Sequence, residues 1–339
     1  MKAILTIVTV IILSVFAGCR GAAGAKGPAS KAKKTLEKGK ILLTVDFQKG
    51  QSLEYKFVSS RTTILNWNPT KSASPSDRTT VSKYLESMEM VVAYTPIKVD
   101  PYGLTTIKAT CKSVKVTRGG GASRKDAAES LAGKTFTFTV SPIGKIEDYS
   151  QLEQLIQEIG KKAFRRDKRQ ARVKEPDMID DFIAGQWFLW DSICSIEQPA
   201  EGVSVGQTWK SKLSVPTSMV LREARDVTYR LDEIRQSEKG QLAVIRSSYK
   251  HAESVPPGWP IAYSGKFQLS GPLGFIRMLS RDLNVLDLQG QGEELFNIDI
   301  GRIEQHHQKY QMQLEASLPL PGAKPVITIN QSLKMQLLK

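Results

Sequence analysis

The sequence predicts a mainly β protein with a helical connector, an α+β arrangement of two related antiparallel β units whose curved sheets pack on helix. Three observations lead there. From Ile41 onward apolar residues recur at every second position, as in Leu53, Tyr55 and Phe57 and again in Phe136, Phe138 and Val140, with turn residues between the runs. One stretch, Leu152, Leu155, Ile156, Ile159, Ala163 and Phe164, follows the spacing of a helical face instead. Matching segments flank that stretch in the same order. Lys49-Gly50-Gln51-Ser52-Leu53 parallels Val205-Gly206-Gln207-Thr208-Trp209, Tyr102-Gly103-Leu104 parallels Lys239-Gly240-Gln241-Leu242, and Phe138 to Ile146 parallels Phe296 to Ile303.

The chain opens as exported proteins do. Met1-Lys2 is a short positive region, Ala3 to Phe16 carries no charge, and Ala17-Gly18 place small residues before Cys19. The apolar run is shorter than the roughly 20 residues a bilayer-spanning helix needs, so residues 1–18 read as a cleavable signal peptide. Ala17-Gly18-Cys19 resembles the end of a bacterial lipobox. That resemblance implies lipidation of Cys19 and a palmitate-bearing, membrane-anchored lipoprotein that faces the periplasm or the exterior. Phe16 stands where a lipobox usually carries an aliphatic residue, and Ala23-Gly24-Ala25 offers an ordinary signal-peptidase site, which would yield a soluble secreted protein. Residues 19–40 form a basic flexible tether: seven basic residues face one acidic residue between Arg20 and Lys40, and Leu36 is the one large apolar group.

Residues 41–148 make the first β unit, with strands over 52–60, 84–94, 104–117 and 135–141. Residues 149–198 are the helical, basic connector. Ser150 and Glu153 form a capping box for its first helix, and Pro176 suits the first turn of a second that runs through Met178 and Phe182 towards Trp187-Phe188-Leu189-Trp190. Residues 199–339 are the second β unit, with strands over 208–215, 226–234, 242–250, 266–269, 283–289, 294–299, 303–314 and 326–337. The stretch Gly50 to Phe57, the Pro142-Ile143-Gly144-Lys145 turn inside Phe138 to Ile146, and Pro199 followed by Val205 to Trp209 together resemble a family of uncharacterised bacterial exported lipoproteins. That family is common in planctomycete-type bacteria and is built on a domain of unknown function. The resemblance spans nearly the whole mature chain and implies architecture and address; it brings no activity with it.

Lysine and arginine number 48 against 34 aspartates and glutamates, a formal charge of +14 that favours an anionic partner. The densest basic run, Lys161 to Lys174, holds eight positive residues and one negative. Lys161, Lys162, Arg165, Arg166, Lys168 and Arg169 are the candidate contacts for an anionic envelope component or a protein partner, with a solvated helix face as the bland alternative. An exported address disfavours nucleic acid. Beyond Cys19, Cys111 and Cys194 leave one possible disulfide pair.

No local catalytic motif is present: the chain lacks G-x-S-x-G, H-E-x-x-H, C-x-x-C and an EF-hand loop, and Gly133-Lys134-Thr135 lacks the upstream glycine of a phosphate loop. No metal and no cofactor is called for. His306 and His307 are adjacent, so on a strand they point to opposite faces, and Asp180-Asp181 and Glu293-Glu294 are neighbouring carboxylates rather than pairs across a cleft. The expected function is therefore a non-enzymatic cell-envelope lipoprotein with a binding or structural role. The alternative is a secreted hydrolase whose site assembles from distant residues.

Overall fold

A computed structural model describes residues 39–67, 81–119, 126–141, 146–163, 178, 182, 201–214, 224–254, 282–319 and 324–339. Period-two alternation yields eleven strands: β1 (Leu53–Asn66), β2 (Val81–Val99), β3 (Thr105–Arg118), β4 (Thr135–Val140), β5 (Ile146–Asp148), β6 (Thr208–Ser214), β7 (Ala224–Ser237), β8 (Gly240–His251), β9 (Asp282–Asn297), β10 (Arg302–Ser317) and β11 (Val326–Leu337). A short 3₁₀ turn, Ala127–Leu131, precedes β4, and α1 (Ser150–Ala163) follows β5.

All eleven strands belong to one antiparallel sheet in the order β5-β4-β3-β2-β1-β11-β10-β9-β8-β7-β6. The chain enters at the centre, meanders to one edge, then re-enters at the other edge and meanders back until β11 lies beside β1. This overturns the α+β expectation of two units packed on helix. Among the described residues α1 is the one α-helix, and it rests on β4 and the 3₁₀ turn, covering one end of the sheet with Leu152, Ile156 and Ile159. The reason lies in the two strands that would have been edges. β1 and β11 pair from Tyr55↔Leu337 to Asn66↔Val326, so each satisfies a row of backbone groups that separate units would leave open. A pairing between residues some 270 positions apart leaves no trace in local periodicity.

Alternation puts one face of the sheet in the core. Tyr55, Phe57 and Leu65 of β1 share it with Met88, Met90, Val92 and Tyr94 of β2 and with Ile327, Ile329, Leu333 and Met335 of β11. Aromatic rings meet edge to face there: Tyr55 and Tyr94 lie 6.1 Å apart between centroids, and so do Tyr94 and Phe138. Each such side chain contributes about 1.5–3 kcal/mol by leaving water. Met178 and Phe182 are also fully buried, with the Phe182 ring 6.3 Å from that of Phe136.

Two local details differ from the sequence reading. β9 is continuous through Gly290-Gln291-Gly292, where separate strands over 283–289 and 294–299 are expected, because those glycines make room for neighbours and do not break the strand. A Cβ on Gly290 would collide with the Tyr249 ring, and one on Gly292 would meet Ser247 Oγ at 2.6 Å. The start of α1 is capped from two residues ahead of Ser150: the Ser150 amide donates to Asp148 Oδ1 (2.9 Å), and that of Glu153 donates to the Tyr149 carbonyl (3.1 Å).

Candidate functional site: a polar trough on the second face

The face turned away from the core carries mainly hydroxyl and amide side chains, in register across the sheet. Thr117 of β3, Ser87 of β2, Ser60 of β1, Ser332 of β11, Lys309 of β10, Gln291 of β9, Ser248 of β8 and Thr228 of β7 each stand opposite the next. Beside them run Leu85, Thr62, Asn330, Gln311 and Gln289. The sheet hollows along these rows into a trough of about 940 Å³, reaching from Thr117 and Gly119 to Tyr249. β3 and β8 are six strand spacings apart, so the trough is about 29 Å long at roughly 4.8 Å per spacing. A second depression of about 640 Å³, lined by Arg230, Asp232, Arg246, Glu293 and His307, shares Gln291 and Lys309 with it.

Charge in the second depression is mostly paired. Arg246 reaches Asp232 at 2.9 Å and Glu293 at 3.4 Å, and Arg230 reaches Asp232 at 3.3 Å. Lys309, where the two depressions join, has no ion-pair partner among the described residues; neither has Lys334, opposite His307 on β11. His307 Nε2 lies 3.3 Å from Ser332 Oγ. Partial burial lowers the proton affinity of this imidazole, and the neighbouring Lys309, Lys334 and His306 lower it further, against the opposing pull of Glu293. It is therefore neutral at pH 7.

A belt of buried polar groups underlies the trough on the core face. Arg61, Glu86 and Arg118 stand directly opposite one another on β1, β2 and β3. Glu86 accepts from Arg61 at 2.6 Å and 3.1 Å and from Arg118 at 3.2 Å; Arg118 also pairs with Asp126, whose other oxygen accepts from the Ala128 amide at 2.7 Å. Burial pushes the Glu86 carboxyl up, but the two guanidinium groups outweigh it and hold the carboxyl below its ordinary range. Gln331 donates to Ser59 Oγ at 2.6 Å. Farther along, Arg225 donates to Gln308 at 3.0 Å and sits 4.6 Å over the Tyr249 ring, and burial raises the Tyr249 phenol to about 12. This belt fixes the strands that floor the trough.

The two adjacent histidines part as expected. His306 faces the core with Nδ1 2.8 Å from Glu294 Oε2, close in distance but outside hydrogen-bonding angle. His307 faces the trough. Sequence reading treated Glu293 and Glu294 only as neighbours; register shows each opposite one histidine, a relation visible only once β9 and β10 are aligned. Ser332, His307 and Glu293 are thus neighbours on one face, but among the described residues no carboxylate bonds the His307 ring, and the backbone about Ser332 is committed to ladders on both sides. Nucleophilic chemistry would need an orienting carboxylate and free amides for an oxyanion.

Of the residues singled out from sequence, Lys161 and Lys162 stand in the last turn of α1; Cys19, Arg165, Arg166, Lys168, Arg169 and Cys194 lie outside the described residues. Cys111 is a buried free thiol. Among the described residues no group of His, Cys, Asp and Glu gathers into a metal-ligand set, and no helix is long and apolar enough to cross a membrane. The trough itself was missed because its rows pair residues from strands distant in sequence.

No family model and no curated protein matches the chain. Among solved structures, the chain is similar to lipovitellin, from work on its lipid–protein interactions, at 11% identity and a TM-score of 0.45, over 87% of this chain and 26% of that one. It is also similar to DynF of the dynemicin biosynthesis pathway of Micromonospora chersina (8% identity, TM-score 0.19, 93% and 94% covered) and to OccAB4 of Acinetobacter baumannii (8%, 0.21, 86% and 99%). The chain spans about a quarter of the lipovitellin chain's length. Likenesses at this level carry no argument about what the chain binds.

Proposed function

We propose that the protein is a non-enzymatic binding protein of the cell envelope, exported and tethered through Cys19, whose trough takes an extended anionic polysaccharide. The observation that carries this reading is the trough: about 940 Å³ lined largely by Ser, Thr, Asn and Gln, beside Leu85, Arg61, Glu86 and two tyrosines, with the Lys309 ammonium, which has no ion-pair partner among the described residues, where the trough meets the second depression. Hydroxyl and amide groups serve as donors and acceptors for sugar hydroxyls, and an unpaired ammonium meets a carboxylate. A net charge of +14 attracts such a chain over distance. Single-stranded nucleic acid fits less well, since base-stacking platforms need exposed aromatic rings and the two tyrosines that border the trough, Tyr249 and Tyr310, are buried.

Calorimetric titration with polygalacturonate, with neutral dextran as control, tests the reading. Saturable binding of the acidic polymer is expected, weakened up to about fivefold by Lys309→Ala, the scale of one exposed charge pair, and more by Lys309→Glu. Equal affinity for dextran, or no effect of either variant, contradicts it. The Ser332–His307 contact supports a second reading, a hydrolase acting on the bound chain. Product release from polymer or ester substrates that is abolished by Ser332→Ala would favour it.

A further inference from the structure

The β2–β3 hairpin ends in a feature the trough does not use. β1 begins at Leu53, opposite Tyr94, so Thr95–Val99 of β2 run on past β1 with β3 as the one strand beside them, while Ser52 and Gly50 bond Thr95 and Pro96 from the other side. Four large apolar residues stand exposed at this overhang: Ile97 at 42%, Val99 at 40%, Tyr102 at 88% and Leu104 at 38%. The turn that presents them is firmly bonded. Asp100 Oδ1 accepts from the amides of Tyr102 (2.8 Å) and Leu104 (2.7 Å), the Asp100 amide donates to the Leu104 carbonyl (2.9 Å), and Gly103 supplies the left-handed residue at φ +85°. Exposure here is built in and does not come from a slack loop. Single exposed apolar residues need no explanation, but four within eight residues on a projecting, bonded tip form a patch that folding does not use.

The surrounding charge points to the occupant. Lys98 stands exposed between Ile97 and Val99, and Lys49 is exposed on the turn whose Gly50 amide donates to the Pro96 carbonyl at 2.8 Å. Neither ammonium has an ion-pair partner among the described residues. Asp100, the one acid of the tip, spends a carboxylate oxygen on its own turn. We propose that this tip is an interfacial membrane anchor, in which Tyr102, Leu104, Ile97 and Val99 enter the headgroup–acyl boundary of an anionic bilayer while Lys98 and Lys49 meet lipid phosphates. Tyrosine favours that boundary because its ring is apolar and its hydroxyl wet, and lysine can bury its stem while its charge stays with the headgroups. The anchor is independent of the polysaccharide reading.

The test uses the full chain with vesicles of phosphatidylcholine alone or mixed with phosphatidylglycerol. Tyr102→Ser combined with Leu104→Ser lowers partitioning onto the anionic vesicles by on the order of tenfold, with thermal midpoint and far-UV spectrum unchanged. Lys98→Glu lowers it too and flattens its salt dependence. In a Tyr102→Trp variant the added indole is quenched by bromine on the lipid acyl chains. Partitioning of the double serine variant equal to that of the parent places membrane contact elsewhere, including at the N-terminal apolar run, and overturns the proposal. So does an unquenched indole at position 102, the outcome expected if the tip docks a protein.

Discussion

Glu86→Gln removes the charge that two guanidinium groups share beneath the trough. The Arg61 side chain is 1% exposed and that of Glu86 14%, so water replaces little of what is lost. Arg118 keeps Asp126, while Arg61 loses its Glu86 carboxylate and keeps the Met178 sulfur at 3.5 Å among its contacts. Breaking a buried pair while leaving one charge behind costs about 3–5 kcal/mol. For a chain of this size that lowers the thermal midpoint by roughly 6–20 °C, at about 2–4 °C per kcal/mol. Denaturant unfolding followed by circular dichroism measures it directly. A second variant separates charge from shape: Arg61→Met with Glu86→Leu removes both ions, so it should recover most of the loss, since apolar replacement of a whole buried pair is often neutral. A cost for Glu86→Gln below about 1 kcal/mol, the range of an exposed ion pair, would refute the reasoning, and so would a double variant as unstable as the single one.

The same carboxyl sets an acid limb. Glu86 titrates lower in the folded protein than its ordinary value of 4.5, so its stabilisation is fully present above about that pH and is lost as pH falls through the depressed folded value; Glu86→Gln flattens this limb in acid unfolding curves. Gly290→Ala drives a methyl group into the Tyr249 ring and costs about 1–3 kcal/mol, as overpacking does, with partial rescue by Tyr249→Val in the same denaturant assay. Cys111, buried with its thiol pushed up to about 12, resists iodoacetamide in the native protein and reacts only on unfolding, which peptide mass spectrometry reads. Affinity for an acidic polymer rises as pH falls below 6.5, because His307, depressed by burial and by Lys309, Lys334 and His306, gains a proton facing the ligand. His307→Gln abolishes that rise in titrations at successive pH values.

Period-two spacing marked every described strand except β5, though it ended β1 and β2 five or six residues early and broke β9 in two, and the helical face at Leu152, Ile156 and Ile159 marked α1. Those signals are local. The joint between β1 and β11 is not, and its absence from the sequence pattern is why one sheet reads as two units. The glycine turns at Gly50 and Gly206 do share left-handed backbone, φ +82° and +84°, as their matching segments suggest, yet one precedes a central strand and the other an edge strand. The trough was illegible for a further reason: single hydroxyl and amide residues at alternate positions read as a solvated face until register stacks Ser87, Ser60, Ser332 and Lys309 side by side. The buried charges were hidden likewise, because Arg61, Glu86 and Arg118 carry no mark in sequence that sets them apart from surface residues.

The central claim is that a ligand chain lies along the trough, and the most direct measurement is affinity against ligand length, using a graded series of acidic oligosaccharides at fixed ionic strength. Affinity is expected to climb with each added unit until the chain spans about 29 Å, six strand spacings, then level off, with Lys309→Ala lowering the whole curve. An affinity that does not change with length, or that climbs without a plateau and is indifferent to Lys309, would mean that the polymer is held by diffuse charge and not by this trough.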